Sequence, residues 1–312
     1  MSPQYYKNGV ILMVKIKRSL SARQRIKARY GVVFVLPAFL LATVFMIYPL
    51  FASLYLSLTK YNFAFDTKPQ FIGIENYVKA FNDSAFIDSI GVTAVYSILY
   101  FVLVMLGGLI LALMLFYAKG KTSVFRTAYF LPIVIPLSLS SFIFNWILQK
   151  NYGLLNYFLA DILGAGHLTR EWLSTNPWAM ISIVVVSVWA TVGFETILFL
   201  NGLQALPEDM LEAGIVDGAT GFRTLFSIIL PNLRETFAVT GIWAILQALK
   251  VYIVPSLVTW GGPGTATTVM YMYVYRQSFT YLEMGYGAAL GFIMSILIMV
   301  LSLLNMRISK KV

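Results

Sequence analysis

Six long apolar runs recur along the chain and constrain its fold more than any other feature. Each run has 20 or more residues, and about 20 apolar residues are enough for a helix to cross a bilayer. The mean hydropathy of +0.78 also lies above the range of soluble globular domains. The sequence therefore predicts an all-α integral membrane protein with six transmembrane helices. The predicted spans are residues 30–58, 89–117, 128–148, 178–203, 236–258 and 285–304.

Basic residues predict how these spans are oriented. Eight of the 23 Lys and Arg residues lie within the first 30 positions, and more follow the second and sixth spans. Because cytoplasmic flanks carry an excess of Lys and Arg, both termini are expected to be cytoplasmic. The net charge of +10 is then explained by basic residues that lie beside the lipid bilayer. We therefore expect no nucleic acid as a partner. The basic clusters are residues 1–29, 119–126 and 307–311.

The sequence lacks the residue types that most enzyme chemistry needs. It has no cysteine and a single histidine, His167, so a thiol site, a His-based metal centre and a Ser-His-Asp triad are not expected. Lys121-Thr122 follows a glycine as in a phosphate-binding loop, but Leu115 stands where that motif requires another glycine. We therefore expect no catalytic residue, no metal and no cofactor in this chain.

The segment 204–234 is the least membrane-like part of the chain between two apolar runs. It holds four of the 13 acidic residues and is typical of a short helix, a turn and a second helix. At 100° per residue, Leu206, Met210 and Ala213 fall on one stripe of the first helix. Asp217-Gly218 then favours a turn. Because so short a helix is marginal in water, we expect it to dock on the membrane helices or on a partner.

Two charged residues lie clearly inside the predicted spans. Glu195 is roughly two turns from the end of the fourth span, and Lys250 lies deeper in the fifth. Charged residues within spans usually face the bundle interior or a water-filled cavity. A side chain near a helix end can instead extend to the interface. We expect Lys250 to face a cavity or a partner, and both possibilities remain open for Glu195.

Within the segment 204–234, the order of residues resembles the EAA motif of binding-protein-dependent ABC importer permeases. The matching residues are Glu212-Ala213-Gly214, Asp217-Gly218-Ala219 and Ile229-Leu230-Pro231, with glycine at 214 where the family usually has alanine. Further segments are similar to the carbohydrate-uptake branch, and to its maltose-type first permease subunit. They include QFIGIENYVKAF at 70–81, LPIVIP at 131–136 and VTWGGPGTAT at 258–267.

This resemblance implies a permease subunit of an ATP-driven importer in the cell membrane. Residues 30–308 would form the permease domain, and 204–234 the coupling loop, with a cytoplasmic coupling helix between spans four and five. The implied partners are a second homologous permease, two ATPase subunits that bind ATP and Mg, and an extracytoplasmic solute-binding protein. The implied ATPase-coupling residues are Glu212, Ala213, Gly214, Asp217 and Gly218.

The same resemblance implies a substrate path between spans four and five. Several of its positions are apolar where a sugar site needs hydrogen-bond partners. Two classes of solute therefore remain possible: a sugar or oligosaccharide, and a non-sugar such as glycerol phosphate or an amino acid. A secondary transporter is the remaining alternative, but it needs no docking helix. The carried-over positions are Ala190, Thr191, Phe194, Ala244, Gln247, Ala248 and Val251, to which Lys250 is added as a polar candidate.

Overall fold

The computed structural model describes residues 22–118 and 123–311. Most of the predicted basic segment 1–29, and part of the basic turn 119–126, lie outside these residues. The described chain divides into two compact units, one that ends at Ser53 and one that begins at Leu54.

The first unit is helical throughout its described part. Its apolar portion is one continuous helical run, Val33–Ser57, of 25 residues, which extends past the unit boundary and corresponds in position to the first predicted span. This run is built from α1 (Ala22–Ala42), a π-helical turn (Thr43–Ile47) and α2 (Tyr48–Ser57).

A small antiparallel sheet and a short amphipathic helix follow the first span. These elements are β1 (Thr59–Lys60), β2 (Gln70–Phe71) and α3 (Glu75–Asn82). The strands pair so that Thr59 lies opposite Phe71. Asp83 separates α3 from the next helix, and its carboxylate accepts hydrogen bonds from the backbone N–H groups of Ala85 and Phe86. This is the usual way in which an aspartate caps the start of a helix.

The rest of the second unit consists of helices and connecting loops. The α-helices are, in chain order, α4 (Ser84–Tyr117), α5 (Ser123–Val134), α6 (Leu137–Ile147), α7 (Leu154–Tyr157), α8 (Trp178–Gln204), α9 (Glu208–Val216), α10 (Phe222–Thr224), α11 (Leu230–Asn232), α12 (Arg234–Leu249), α13 (Met270–Tyr275) and α14 (Met284–Lys311). Short π-helical turns lie at Phe158–Ile162, Leu225–Ile229, Pro255–Thr259 and Arg276–Thr280, and a 3₁₀ turn at Gly166–Leu168.

Four helical runs in residues 22–118 and 123–311 are long and apolar enough to cross a membrane. They correspond to the first, second, fourth and sixth predicted spans. The third predicted span is a bent pair, because the helix axis turns by 102° between α5 and α6, near Pro136. Counting this pair as one span gives five. The four unbroken runs are Val33–Ser57, Ser84–Tyr117, Trp178–Gln204 and Met284–Arg307.

The fifth predicted span, 236–258, differs from the prediction because it is not one continuous helix. α12 has 16 residues and ends at Leu249, and Val251 and Tyr252 are not helical. Pro255 accounts for the interruption, since it has no N–H to donate to the carbonyl of Val251 and its ring would clash with that carbonyl. The interruption places Lys250 at a helix end in the interior of the predicted span.

The core of the second unit lies where α4 crosses α8. A Cβ at Gly108 of α4 would lie 2.7 Å from the Cβ of Glu195 in α8, so only glycine permits this approach. Around this crossing, large side chains from α4, α8 and the segment before α12 are fully buried. They include Tyr96, Tyr100, Val104, Ile183, Phe199, Leu203, Ile229 and Leu233.

Candidate functional site

The loop between α8 and α12 contains the residues that the family resemblance implies for coupling to the ATPase. As predicted, a short helix, α9, is followed by a turn at Asp217-Gly218. Glu208 and Asp209 lie in the first turn of α9, where acidic side chains complement the positive end of the helix dipole. Glu212 is solvent-exposed on the same helix, and it makes no ion pair with any described residue.

The turn after α9 explains why a glycine stands at position 218. The N–H of Asp217 donates to the carbonyl of Ala213 (3.0 Å), and the N–H of Ala219 donates to that of Gly214 (2.8 Å). Gly218 between them has φ +75° with open space around it. Because side chains disfavour this left-handed region, the backbone conformation calls for glycine even though no neighbour crowds the position.

Gly214, the departure from the usual motif, is buried against the helix that follows. A Cβ at this position would overlap Cδ1 of Ile228, so an alanine here would require the end of that side chain to shift. The predicted apolar stripe contained Ala213 with Gly214 at its edge; in the structure Gly214 is buried and Ala213 is exposed. The helix is rotated so that its smallest residue contacts Ile228.

An apolar surface lies exposed beside this turn. Val216 is 87% exposed, Phe222 is 81% exposed and Phe226 is 63% exposed. Large side chains held in solvent at a loop rich in acidic residues are typical of a protein interface with a polar rim.

Helices α4, α6, α8, α12 and α13 and the segment after α12 line a second candidate site, a cavity of about 300 Å³. Tyrosine, serine, threonine and glutamine side chains form much of its wall, and Lys250 is the one basic residue among the described residues that line it. Among the described residues, no acidic side chain lines it. The lining residues are Tyr96, Tyr100, Leu137, Ser187, Thr191, Gln247, Lys250, Val251, Tyr252, Ile253, Val254 and Tyr271.

Hydrogen bonds fix part of the cavity wall. The hydroxyl groups of Tyr100 and Thr191 lie 2.9 Å apart, and Thr191 Oγ1 also donates to the carbonyl of Ser187 (2.8 Å). The ring of Tyr96 stacks on that of Tyr100 with centroids 5.9 Å apart. Lys250 is exposed and has no ion-pair partner within the described chain. The cavity therefore combines fixed hydroxyl groups with one available cation.

The structure brings together only part of the predicted substrate path. Thr191, Gln247, Lys250 and Val251 line the cavity. The remaining positions lie outside its wall: Ala190, Ala244 and Ala248 are buried in helix contacts, and Phe194 packs on Trp243 with ring centroids 4.7 Å apart.

Sequence reasoning missed five polar or aromatic lining residues: Tyr96, Tyr100, Ser187, Tyr252 and Tyr271. One signal was present for two of them. Tyr96 and Tyr100 are four residues apart in an apolar run, so they share a helix face. Their pairing with Thr191 depends on how α4 crosses α8, which local spacing does not encode.

Glu195 lies in the bundle interior, the first of the two environments that the sequence left open, and not at the membrane interface. Its side chain is fully buried in the packing of α4 against α8, and it does not line the cavity. Neither carboxylate oxygen has a hydrogen-bond partner within residues 22–118 and 123–311. The same residues contain no group of three His, Cys, Asp or Glu that could hold a metal.

Asp83 connects α4 to the last two helices at one end of the bundle. Its Oδ2 accepts hydrogen bonds from the hydroxyl groups of Tyr273 and Tyr286, both at 2.6 Å. Burial alone would raise the pKa of this carboxyl, but the hydrogen bonds from Tyr273, Tyr286 and the backbone N–H groups outweigh it. The pKa of Asp83 therefore lies below its usual value.

Comparison with known proteins agrees with this architecture. Residues 18–312 match the family described as binding-protein-dependent transport system inner membrane component. A probable ABC transporter permease, YurN of Bacillus subtilis, is 34% identical over 279 residues, covering 89% of this chain and 94% of YurN. The trehalose/maltose transport system permease MalF of Thermococcus litoralis is 30% identical over 284 residues, covering 91% and 95%.

A solved structure shares the fold. It is that of a bacterial ABC transporter involved in the import of the acidic polysaccharide alginate, and the matched chain superimposes with a TM-score of 0.80. The match covers 93% of this chain and 98% of that chain at 23% sequence identity. At this identity the similarity concerns the fold alone.

Proposed function

The chain belongs to the family of inner membrane components of binding-protein-dependent transport systems, and we propose that it forms the path for a sugar or oligosaccharide. It is a multi-pass membrane protein and the permease part of an ABC importer, not an enzyme. The relative from Thermococcus litoralis is named as a trehalose/maltose permease, which supports a saccharide as the solute. The observation that carries the proposal is the cavity in which fixed hydroxyl groups and Lys250 surround about 300 Å³.

In the proposed topology, the chain crosses the membrane six times with both termini in the cytoplasm. The bent pair α5 and α6 would form the third span. α12 together with the turn Pro255–Thr259 would form the fifth, with its interruption beside the cavity. Irregular backbone at membrane depth is tolerated where it lines a cavity, which supports one interrupted span.

The coupling loop 204–234 would then dock on a cytoplasmic ATPase subunit. Glu212 on α9 would accept a charge-assisted hydrogen bond, while Val216 and Phe222 would be buried at the contact. Ala213, Gly214, Asp217 and Gly218 would set the shape of the helix and its turn. Rigid-body motion of the docked helices would carry ATP-driven closure of the ATPases to the membrane spans.

The remaining partners follow from this proposal. A second permease subunit would complete the path, two ATPase subunits would bind ATP and Mg, and an extracytoplasmic solute-binding protein would deliver the saccharide. The surface of the cavity suits such a solute because tyrosine rings pack on the apolar faces of sugars and their hydroxyl groups exchange hydrogen bonds with it.

The test is reconstitution of the complex that co-purifies with this chain. We expect an ATPase subunit to co-purify, and ATP hydrolysis in liposomes to rise when the solute-binding protein is loaded with a saccharide. Failure of any ATPase to co-purify would contradict the importer assignment. Stimulation by glycerol phosphate or an amino acid, with none by saccharides, would agree with the importer assignment but contradict the proposal that the solute is a saccharide.

A further inference from the structure

The short helix α3 divides its surface into three faces. At about 100° per residue, Ile74, Val78 and Phe81 form one stripe, with Ile74 directly before the first helical residue. Asn76 and Ala80 lie on the roughly opposite side and are buried. The third face is polar, exposed and lies between the other two; it consists of Glu75, Lys79 and Asn82.

The buried face attaches α3 to the end of the first span. Asn76 Nδ2 donates to the carbonyl oxygens of Ser57 (2.9 Å) and Thr59 (2.8 Å). The hydroxyl groups of Tyr77 and Ser57 lie 2.8 Å apart. Because the apolar run of the first span ends at Ser57, these bonds hold α3 at the point where that helix leaves the membrane.

The polar face attaches α3 to the start of the last span. Lys79 Nζ lies 2.9 Å from Glu283 Oε2 and 4.0 Å from the ring centre of Tyr286. Residues 284–306 contain no charged side chain, and Arg307 follows them. These 23 residues measure about 34 Å as a helix, close to the thickness of about 30 Å of the hydrocarbon core. Glu283 and Arg307 therefore mark the two membrane boundaries.

The first and last spans thus place α3 independently at the same boundary. The length of α4 does not locate the membrane boundary, because its 34 residues extend about 51 Å, which is longer than the bilayer core is thick. At the height of α3, the outward apolar stripe is not covered by described residues: Ile74 and Phe81 are each 68% exposed, and Val78 is 54% exposed. This stripe leads within a few residues into α4, where Ile87 is also exposed.

We propose that α3 is an interfacial helix whose Ile74, Val78 and Phe81 side chains are embedded in the lipid leaflet at this end of the spans. A helix with one apolar face, one charged face and attachment to two spans lies at the meeting of protein, water and lipid. The bilayer is the occupant because the stripe continues the lipid-exposed surface of the spans. Lys79 would then remain in water while its methylene groups lie along the boundary.

This arrangement gives α3 a mechanical role at the outer rim of the bundle. Asp83, directly after α3, accepts hydrogen bonds from Tyr273 and Tyr286. Lipid contact by α3 would therefore fix the height of the junction that joins α4 to the last two helices. The proposal depends on the membrane location of the chain and not on which solute it transports.

The absence of cysteine from this chain makes a direct test possible. Val78→Cys and Phe81→Cys would each carry a nitroxide label in the assembled importer, with the other subunits free of reactive cysteine. Glu75→Cys on the polar face is the matched control. The complexes would be placed in phosphatidylethanolamine and phosphatidylglycerol nanodiscs, and collision of the label with oxygen and with nickel-EDTA diacetate would be measured by power saturation.

Labels at 78 and 81 are expected to show a severalfold higher ratio of oxygen to nickel collisions than the label at 75. A ratio at both positions equal to that of the control would place the stripe in water and overturn the proposal. Protection from both reagents would mean that a protein subunit covers it. A loss of oxygen access on addition of the solute-binding protein would assign the stripe to docking instead of lipid. Each of these last two results also contradicts the proposal.

Discussion

Gly108 of α4 lies directly against Glu195 of α8, so that a Cβ at position 108 would come within 2.7 Å of the Glu195 Cβ. At this contact two long helices approach each other closely. The residue that fills the contact carries a buried carboxyl group without a hydrogen-bond partner in the described part of the chain. The contact therefore separates two effects that mutation can test, the space between the helices and the polarity of the residue that fills it.

Gly108→Val is expected to lower the stability of the folded permease. The added side chain must push apart α4 and α8, and overpacking of this kind typically costs about 1–3 kcal/mol. Thermal unfolding of the detergent-solubilised protein measures the effect. Gly91→Val is the control on the same helix, because a Cβ there meets nothing within 4 Å. Equal unfolding temperatures for the two variants would contradict the close packing.

Glu195→Gln is expected to raise the unfolding temperature of the protein. An amide loses less solvation energy than a carboxylate when both are buried without partners, and the two side chains have nearly the same shape. Glu195→Ala is the contrasting variant, since it leaves a cavity beside Gly108 and should be less stable than Glu195→Gln. A drop in unfolding temperature for Glu195→Gln would show that the carboxylate has a partner elsewhere in the assembled complex.

Glu212→Ala is expected to reduce binding-protein-stimulated ATP hydrolysis about tenfold, because a hydrogen bond to a charged group is worth about 1.5–3 kcal/mol. Glu208→Ala, an exposed acid at the start of the same helix, is the matched control and should retain stimulation. Hydrolysis by the reconstituted complex is the measurement. Equal loss in both variants would point to general charge at α9 rather than to a specific contact by Glu212.

Lys250→Gln and Gln247→Ala are expected to slow solute uptake severalfold while leaving the complex assembled. Both side chains line the cavity of about 300 Å³, so the first substitution removes the positive charge and the second removes an amide group from the proposed path. Lys68→Gln, at an exposed lysine between β1 and β2, controls for the change in net charge. Uptake into liposomes at several solute concentrations would show the effect. Rates unchanged from those of the parent protein would place the path elsewhere.

The contribution of Asp83 to stability is expected to depend on pH. Because the folded pKa of Asp83 is lowered, the ionised carboxylate stabilises the fold above its unfolded pKa of about 3.9. This stabilisation is lost as the pH falls through the lower folded pKa. Asp83→Asn should therefore unfold at a lower temperature than the parent at pH 7, and the difference should shrink below pH ~4. A difference that is independent of pH would contradict this assignment.

Local sequence patterns predicted the elements with strong short-range signals. The short helix within 204–234 and the turn at Asp217-Gly218 both occur in the structure. Each depends on residues within one or two turns of the chain, and a glycine at positive φ forms the turn. Pro255 was also visible in the sequence, but the apolar run around it concealed that the fifth predicted span is interrupted.

The sequence by itself determined a membrane protein of long apolar helices with a polar loop between two of them, because length and hydropathy are local properties. Only the tertiary structure decided that Gly214 and not Ala213 faces Ile228, that Tyr100 meets Thr191, and that Glu195 is buried. The physical reason is that a helix in a membrane is apolar on every side. Its hydrophobic pattern therefore does not show which face meets another helix, and small-residue contacts between distant segments make that choice.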